Sequence, residues 1–520
     1  MSIARPFVRS GLLAWFLAAC ATPPPPPPAA PVAPPPPQST ILKVVALSDF
    51  HGWLLPTEPK DYPKYQGGIA NIGGLWSEVE KLDPNHSLIL DNGDMWTGPT
   101  ESTVLRGEPV IAAYNALGMA AANVANHEFD FGIEVLKARI QQAKFPFLGA
   151  NIVEAGTDNA PPWVKPYTIV ERGGFKVAVI GLSYVGTPFT TLAKNVAGLA
   201  WKPYAETLPR VVKEVKEKGA EVIVVLFHDT LAVVSETLTA LPRLGVHAVV
   251  AGQNHRIEGG DVGGVKVVNP GMKGWHYVRF DIEVDNASRT VKSVDAQVID
   301  VTGDTGKPVA PPRADLLAIV EEARQKSKAL TGEVLGAIEK PLPIGSFSDS
   351  PLGHMVTDAW LAAFPNADLA ICNYGGLRQP LAKGNVTLGD LLGVLPWENN
   401  LFIVKLTGKQ LKDQLVIDGP VVSGITWKYR EKAGVREVVA VVDKNGKPID
   451  DAASYRIVIN DFMYGDATGG GDKFTFRDFD AAPEDTGLSI REPVIRVLRG
   501  ALASGKPLSV KGGARGAKVK

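Results

Sequence analysis

Cysteine is nearly absent from this 520-residue chain. Only Cys20 and Cys372 occur, which excludes a framework of several disulfides. Neither sign of charge prevails, because 54 Lys and Arg residues stand against 55 Asp and Glu residues. We therefore do not expect a basic surface that binds a nucleic acid polymer. Beyond the first twenty residues, no apolar run approaches the roughly 20 residues that span a membrane.

The first twenty residues have the features of an export signal. Arg5 and Arg9 flank the start of a short apolar run, which ends in the small-residue segment Leu17-Ala-Ala-Cys20. This order is typical of a signal peptide, and the Cys at the cleavage point resembles a bacterial lipobox. We predict cleavage before Cys20, a lipid on Cys20, and anchoring at the outer membrane, facing the periplasm or the cell surface. An ordinary secretory signal is the alternative.

Composition and periodicity divide the rest of the chain. Proline at most positions of 21–39 predicts a stiff, extended linker. Val- and Ile-rich runs alternate with helical segments over 40–301, which indicates a layered α/β domain. We predict a linker and a connecting helix over 302–330, a second α/β domain over 331–500, and a basic disordered tail over 501–520.

Side chains that bind metals follow successive predicted strands of the first domain. They are Asp49 and His51 after 41–47, Asp94 after 87–90, Asn126 after 122–125, His228 after 222–227, and Gln253 and His255 after 248–251. Loops at the carboxyl ends of strands in an open α/β sheet are where ligands bind. Carboxylates, imidazoles and amide oxygens without thiolate suit divalent ions such as manganese or zinc. The pattern predicts a two-metal hydrolytic centre, with Asp94 as the bridge.

These motifs resemble the series found in calcineurin-like metallophosphoesterases. More narrowly, Asn126-His127-Glu128-Phe129-Asp130 followed by Gly132 is similar to the bacterial 5′-nucleotidase and UDP-sugar hydrolase family. The second half of the chain carries matching motifs, which are Asn373-Tyr-Gly375-Gly376-Leu-Arg378, Thr387-Leu-Gly389-Asp390, Leu406-Thr407-Gly408 and Gly470-Gly471-Asp472. The resemblance therefore covers most of the chain.

The resemblance implies a four-layer α/β metallophosphoesterase sandwich followed by a C-terminal α/β substrate domain. It assigns one divalent ion to Asp49, His51, Asp94 and His255, and the other to Asp94, Asn126, His228 and Gln253. It makes His127 and Asp130 the catalytic pair and a metal-bridging hydroxide the nucleophile. Substrate contacts would come from Asn373, Gly375, Gly376, Arg378, Phe462 and Asp472. The expected activity is hydrolysis of phosphate esters of extracytoplasmic nucleotides by a monomer.

Two departures from the family pattern affect metal and substrate. Gln253 replaces the first His of a Gly-His-x-His motif, which predicts an altered metal preference, with a weakened second site as the alternative. Gly419 stands about where a base-stacking aromatic residue is expected, so base selectivity should be weak. Three other functions stay open: thiosulfohydrolase chemistry, hydrolysis of phosphodiesters, and metal or ligand binding by a lipoprotein without turnover.

Four tryptophans stand near the predicted site in sequence or in motif. Trp53, Trp96, Trp275 and Trp397 could line a cleft. Large aromatic side chains more often pack in cores, and we expect that role for most of the four.

Overall fold

The computed structural model describes residues 38–56, 66–191, 195–241, 244–302, 307–397, 399–432, 434–464, 474 and 476–519. The predicted signal peptide and nearly all of the predicted linker after it lie outside this range. Residues Ser39–Lys520 form one compact unit. Among the described residues, no helix combines the length and the apolar character needed to cross a membrane.

Two six-stranded sheets make up the centre of the first half. Their orders are β14-β13-β1-β2-β3-β4 and β11-β12-β10-β9-β7-β6. The strands, including a separate pair β5 and β8, are β1 Ser39–Leu47, β2 Ser87–Asp91, β3 Ala121–Asn123, β4 Phe147–Leu148, β5 Ile152–Glu154, β6 Tyr167–Arg172, β7 Phe175–Leu182, β8 Leu199–Trp201, β9 Val222–Phe227, β10 Ala248–Val250, β11 Ile257–Val262, β12 Val265–Pro270, β13 His276–Asp285 and β14 Val291–Asp300.

Helices cover the outer face of each sheet. They are α1 Ile69–Glu78, α2 Thr100–Thr103, α3 Glu108–Leu117, α4 Ile133–Gln142, α5 Thr187–Thr190, α6 Tyr204–Glu217, α7 Leu231–Ala240 and α8 Ala314–Thr331. Strand β1 shows the layering, because Val44 and Ala46 join the core between the sheets while Val45 and Leu47 face the helices. A strand buried on both faces is a continuous apolar run. The predicted four-layer sandwich is confirmed.

The second half is a further α/β arrangement. A five-stranded sheet has the order β19-β16-β22-β18-β23, beside a three-stranded sheet β21-β20-β24 and the pair β15-β17. Its elements are β15 Val334–Ile338, α9 Pro351–Ala363, β16 Leu369–Cys372, β17 Gly384–Thr387, α10 Leu388–Val394, β18 Asn400–Thr407, α11 Gly408–Leu415, β19 Val421–Ser423, β20 Ile425–Lys432, β21 Val435–Asp443, β22 Ser454–Asn460, α12 Asp461–Tyr464, α13 Phe476–Phe479, β23 Glu484–Ser489, α14 Glu492–Ala503 and β24 Gly516–Lys518.

Two of the motifs in the second half are helix starts. The hydroxyl of Thr387 accepts a hydrogen bond from the N–H of Asp390, whose carboxylate accepts from the N–H of Thr387. Thr407 and Gln410 make the same reciprocal pair at the start of α11. Such capping boxes satisfy backbone N–H groups that have no partner within the helix. These motifs therefore position the segments that surround the site.

The expectation of a disordered tail over 501–520 needs correction. Strand β24 pairs in parallel with β20. Arg515 donates to both carboxylate oxygens of Asp358 at 2.7 Å and to the carbonyl oxygen of Val422 at 2.8 Å. The basic composition of this segment suggested disorder because the acids that it meets lie on distant elements.

Candidate metal centre

The residues singled out as metal ligands converge at one edge of the two sheets. Strands β1, β2 and β3 are parallel neighbours, as are β9 and β10, so their carboxyl ends meet at a common edge. Five of the side chains there are fully buried, namely Asp49, His51, Asp94, Asn126 and His228. Gln253 and His255 close the edge from the loop after β10.

Ligand atoms of these residues lie within coordination reach of one another. Nε2 of His255 is 3.4 Å from Oδ1 of Asp49 and 3.0 Å from Nε2 of His51. Nε2 of His228 is 3.2 Å from Oδ2 of Asp94 and 3.8 Å from Oδ1 of Asp49. Asp94 also lies 4.0 Å from Nε2 of His51. Asp94 thus stands between the two groups of ligands, as a bridging carboxylate would.

Unpaired polar atoms test whether a cation fits here. Oδ1 of Asn126, Oε1 of Gln253 and Nε2 of His228 are buried and make no hydrogen bond within the described part of the chain. A buried polar atom without a partner costs about 1–3 kcal/mol. All three are electron-pair donors at the position expected for the second ion. The residues present therefore fit a pair of divalent cations.

The imidazoles of His51 and His255 are held neutral. Burial, then the charge of Arg378, lowers the pKa of His255 to about 3 and that of His51 well below its usual range. Nδ1 of His51 lies 3.0 Å from the carbonyl oxygen of Thr97, and Nδ1 of His228 lies 2.8 Å from that of Asn92. A carbonyl on one ring nitrogen leaves the lone pair of the other free for a metal.

Backbone conformation at the ligand positions is unusual. Asp49, His51, Asp94, Gln253 and His255 have φ angles of 51°, 49°, 58°, 69° and 61°. Residues other than glycine seldom adopt this left-handed region, and such positions cluster at functional sites. The chain turns sharply in the loops after β1, β2 and β10, which directs their side chains toward one point.

Glu128 was part of a recognised motif but received no role from the sequence. Its carboxylate is fully buried and accepts hydrogen bonds from the N–H groups of Asp94, Met95 and Ala125 at 2.9, 2.7 and 2.7 Å. It thereby joins the loop after β2 to the loop after β3. An acidic residue directly beside a candidate catalytic histidine was the only signal for this role in the sequence.

His127 and Asp130 are in direct contact. Residues His127–Phe129 form one turn of 3-10 helix, which places Nδ1 of His127 2.8 Å from Oδ2 of Asp130. The N–H of His127 also donates to Oδ1 of Asp94 at 2.9 Å. Burial acts to lower the pKa of His127, but the carboxylates of Asp130 and Asp94 outweigh it and raise that pKa.

A cavity of about 680 Å³ connects this centre to the second half of the chain. Asn373, Gly375, Gly376, Arg378 and Phe462 line it, together with Asp94, Asn126, His127 and Asp130. Nη2 of Arg378 lies 3.0 Å from Nδ1 of His51. Every substrate-contact residue named from the sequence thus borders the cavity except Asp472, which lies outside the described residues.

The tryptophans have different roles. Trp96 is buried in the core. Trp53 and Trp275 hold Nζ of Lys273 between them, at 4.4 and 5.1 Å from the ring centroids. Only Trp397 among the four lines the cavity. The positions of these tryptophans in the sequence did not indicate which one lines the cavity.

Position 419 cannot carry an aromatic side chain here. Gly419 has a φ of 62°, and a Cβ at this position would lie 2.6 Å from the ring of Phe347. Phe347 packs against Trp427 and Tyr429 instead of the cavity. The aromatic side chains that the second half contributes to the cavity, within the described residues, are Phe462, Phe474, Tyr374 and Trp397.

Comparisons with known proteins find a domain match and several distant relatives. The model of the 5′-nucleotidase C-terminal domain matches residues 334–477. Endonuclease YhcR of Bacillus subtilis is 25% identical over 471 residues, which cover 83% of this chain but only 37% of that relative's length.

Solved structures resemble nearly all of the chain. The 5′-nucleotidase precursor from Thermus thermophilus has a TM-score of 0.78 and 26% identity, over 92% of this chain and 99% of that one. A sulfate thiohydrolase, SoxB, has a TM-score of 0.73 at 19% identity, over 94% and 98%, and this likeness shows the fold alone. Residues 334–477 therefore match the 5′-nucleotidase C-terminal domain family, and the chain as a whole is similar to 5′-nucleotidases in sequence and fold.

Proposed function

We propose that this protein hydrolyses phosphate esters of nucleotides, of the nucleoside monophosphate or nucleotide-sugar type, with the help of two divalent metal ions. The observation that carries the proposal is the convergence of three sets of side chains at one cavity. These are the candidate metal ligands, the His127–Asp130 pair and the guanidinium of Arg378. A metal binder without turnover has no use for a histidine braced by a carboxylate beside the ligands.

The metal ligands divide into two sets around Asp94. Asp49, His51, Asp94 and His255 would hold one ion, and Asp94, Asn126, His228 and Gln253 the other. When bound, the ions would supply an activated water and neutralise charge on the phosphate oxygens. Manganese or zinc suits this mixture of carboxylate, imidazole and amide ligands.

The side chains of the protein supply proton transfer and substrate placement. His127, with its Nδ1 held by Asp130, presents Nε2 to the oxygen that leaves phosphorus and can give it a proton. The raised pKa of His127 favours the protonated ring that this step requires. The planar fork of Arg378 binds two phosphate oxygens at once and orients the ester for in-line attack.

The second half of the chain would hold the nucleoside. Phe462 and Phe474 offer aromatic surface to a base, and Asn373 offers an amide close to Arg378. A single stacked ring contributes about 1–3 kcal/mol per base and tolerates every base. Because stacking tolerates every base and position 419 adds no side chain of its own, we infer weak discrimination among bases.

The signal-like segment over residues 1–20 supports a location outside the cytoplasm. A Cys20 at the end of a signal-like segment supports export and attachment by a lipid. We place the enzyme outside the cytoplasm, at the outer membrane, as a monomer. Metabolic labelling with a fatty acid, compared between the chain and its Cys20→Ser variant, tests the attachment.

The activity test uses protein stripped of metal and reloaded separately with manganese and zinc. Phosphate release is followed from AMP, from UDP-glucose with added phosphatase, and from an aryl phosphate, beside a His127→Ala control. Release from AMP or UDP-glucose that requires metal and His127 supports the proposal. Release from the aryl ester alone removes the nucleotide from it. Metal-loaded protein that releases phosphate from none of them overturns it and favours the thiosulfohydrolase or the binding protein.

A further inference from the structure

Trp397 connects the two halves of the site. It follows α10 in the second half, yet its ring centroid lies 5.4 Å from that of His127 in the first half, with an angle of 31° between the planes. The same indole lies 5.5 Å from Cζ of Arg378. It also lines the cavity, so one indole ring lies beside both groups expected to act on the phosphate.

Two hydrogen bonds tie the indole to the loop that carries Arg378. Nε1 of Trp397 donates to the carbonyl oxygen of Gly376 at 2.9 Å. The N–H of Arg378 donates to the carbonyl oxygen of Val394, three residues before Trp397, at 3.0 Å. The indole and its segment are therefore anchored to the loop that carries Arg378.

The imidazole of His127 has one strong anchor without Trp397. Its Nδ1 is bonded to Asp130, while the ring of His51 meets it edge-on at 5.0 Å. A ring held by one hydrogen bond can still swing about that bond. The indole packs against the imidazole with 5.4 Å between the ring centroids, and so restricts where Nε2 points.

We propose that Trp397 is a positioning residue that sets the imidazole of His127 and the guanidinium of Arg378 against the same phosphate group. This inference rests on the proposed function. The aromatic ring matters because the guanidinium of Arg378 carries a permanent positive charge beside it, and an indole face attracts cations. An aliphatic side chain of similar size would fill the space without this attraction.

Kinetics with four variants and one double variant test the inference. Trp397→Leu should lower kcat about tenfold, equivalent to about 1.4 kcal/mol, with a smaller change in KM. Trp397→Phe keeps the aromatic face and should stay within about threefold of the wild type in kcat. In the His127→Ala background, Trp397→Leu should change kcat by less than about twofold, because the group that it positions is gone. Trp427→Leu, outside the cavity and against Phe347 and Tyr429, is the matched control.

Acylation of His127 by diethyl pyrocarbonate gives a readout that needs no turnover. Mass spectrometry of the His127 peptide should show modification at least about twofold faster in Trp397→Leu than in wild type, because a released ring samples more orientations. Trp427→Leu should leave the rate unchanged. An unchanged acylation rate in Trp397→Leu overturns the inference even in an inactive protein. A tenfold loss of kcat on Trp397→Leu that persists in the His127→Ala background also overturns it. If the wild-type protein is inactive but acylation of His127 is still faster in Trp397→Leu, only the proposed function is overturned.

Discussion

Nη2 of Arg378 lies 3.0 Å from Nδ1 and 3.2 Å from Nε2 of His51, although the two residues are 327 positions apart. A cation from the second half of the chain thus stands directly at the ligands of the first. An arginine so close to imidazoles is favourable only where anions share the site, and Asp49 and Asp94 supply part of that charge. A bound phosphate would supply the rest.

The Arg378→Lys variant should bind nucleotide poorly. Lysine offers a point charge in place of a planar fork, so we expect KM for AMP to rise about tenfold, as for loss of one charge-assisted hydrogen bond. Steady-state kinetics measure this, with Arg324→Lys on the exposed face of α8 as the control. An unchanged KM would show that Arg378 does not hold the phosphate.

The Gln253→His variant should bind zinc more tightly. Oε1 of Gln253 is buried without a partner among the described residues, and imidazole is a better donor to zinc than an amide oxygen. After dialysis against a weak chelator, the variant should keep more zinc per chain than the wild type by elemental mass spectrometry. Gln325→His on α8 serves as control. Equal zinc content in all three proteins would place Gln253 outside the metal site.

The Glu128→Gln variant should be less stable. Glutamine has only one acceptor oxygen. Its NH₂ group would therefore face a backbone N–H that now donates to Glu128, and two donors would meet. We expect the free energy of unfolding to fall by about 1–3 kcal/mol. Urea unfolding measures the change, and Glu134→Gln, which is exposed on α4, should shift it little. Equal stability of both variants would contradict the role given to Glu128.

Glu80 should contribute stability that depends on pH. Burial alone would raise its pKa, but hydrogen bonds from Tyr277 and Lys43, with the charge of Arg279, lower it below the ordinary value of 4.5. The stability that Glu80 contributes is therefore fully present above its pKa in the unfolded chain. It is lost as pH falls through its pKa in the folded protein. Glu80→Gln should cost more at neutral pH than at about pH 3. Urea unfolding at both pH values checks this, and a cost independent of pH would refute it.

Cys372 should not react in the native protein. Its side chain is 1% exposed, and burial raises the pKa of the thiol to about 12. The thiolate is the reactive form, so iodoacetamide should label Cys372 only after unfolding. Peptide mapping by mass spectrometry distinguishes it from Cys20. Rapid labelling under native conditions would show that strand β16 opens.

The candidate metal ligands could be recognised from the sequence because each follows an apolar strand. Parallel neighbouring strands end at one edge, so Asp49 and Asp94 had to approach one another once their sheet formed. His228 follows a strand of the other sheet, so its approach depends also on how the two sheets pack. The contact between His127 and Asp130 needs only one helical turn.

Contacts between distant segments could not be predicted in this way. Nothing in the residues around Trp397 indicates that its ring meets His127, since that contact depends on how the two halves pack. The pattern of side chains in the sequence does not indicate that Glu128 accepts hydrogen bonds from backbone N–H groups. The ion pair of Arg515 with Asp358 was missed for the same reason.

Five candidate ligand positions have left-handed backbone, so stability and metal binding favour different residue types there. Asparagine and especially glycine tolerate this conformation better than Asp49, His51, Asp94, Gln253 or His255. A library of variants selected for heat resistance alone should therefore drift toward glycine and asparagine at these positions. The sequence most resistant to heat and the sequence able to hold metal would then differ at the ligands themselves.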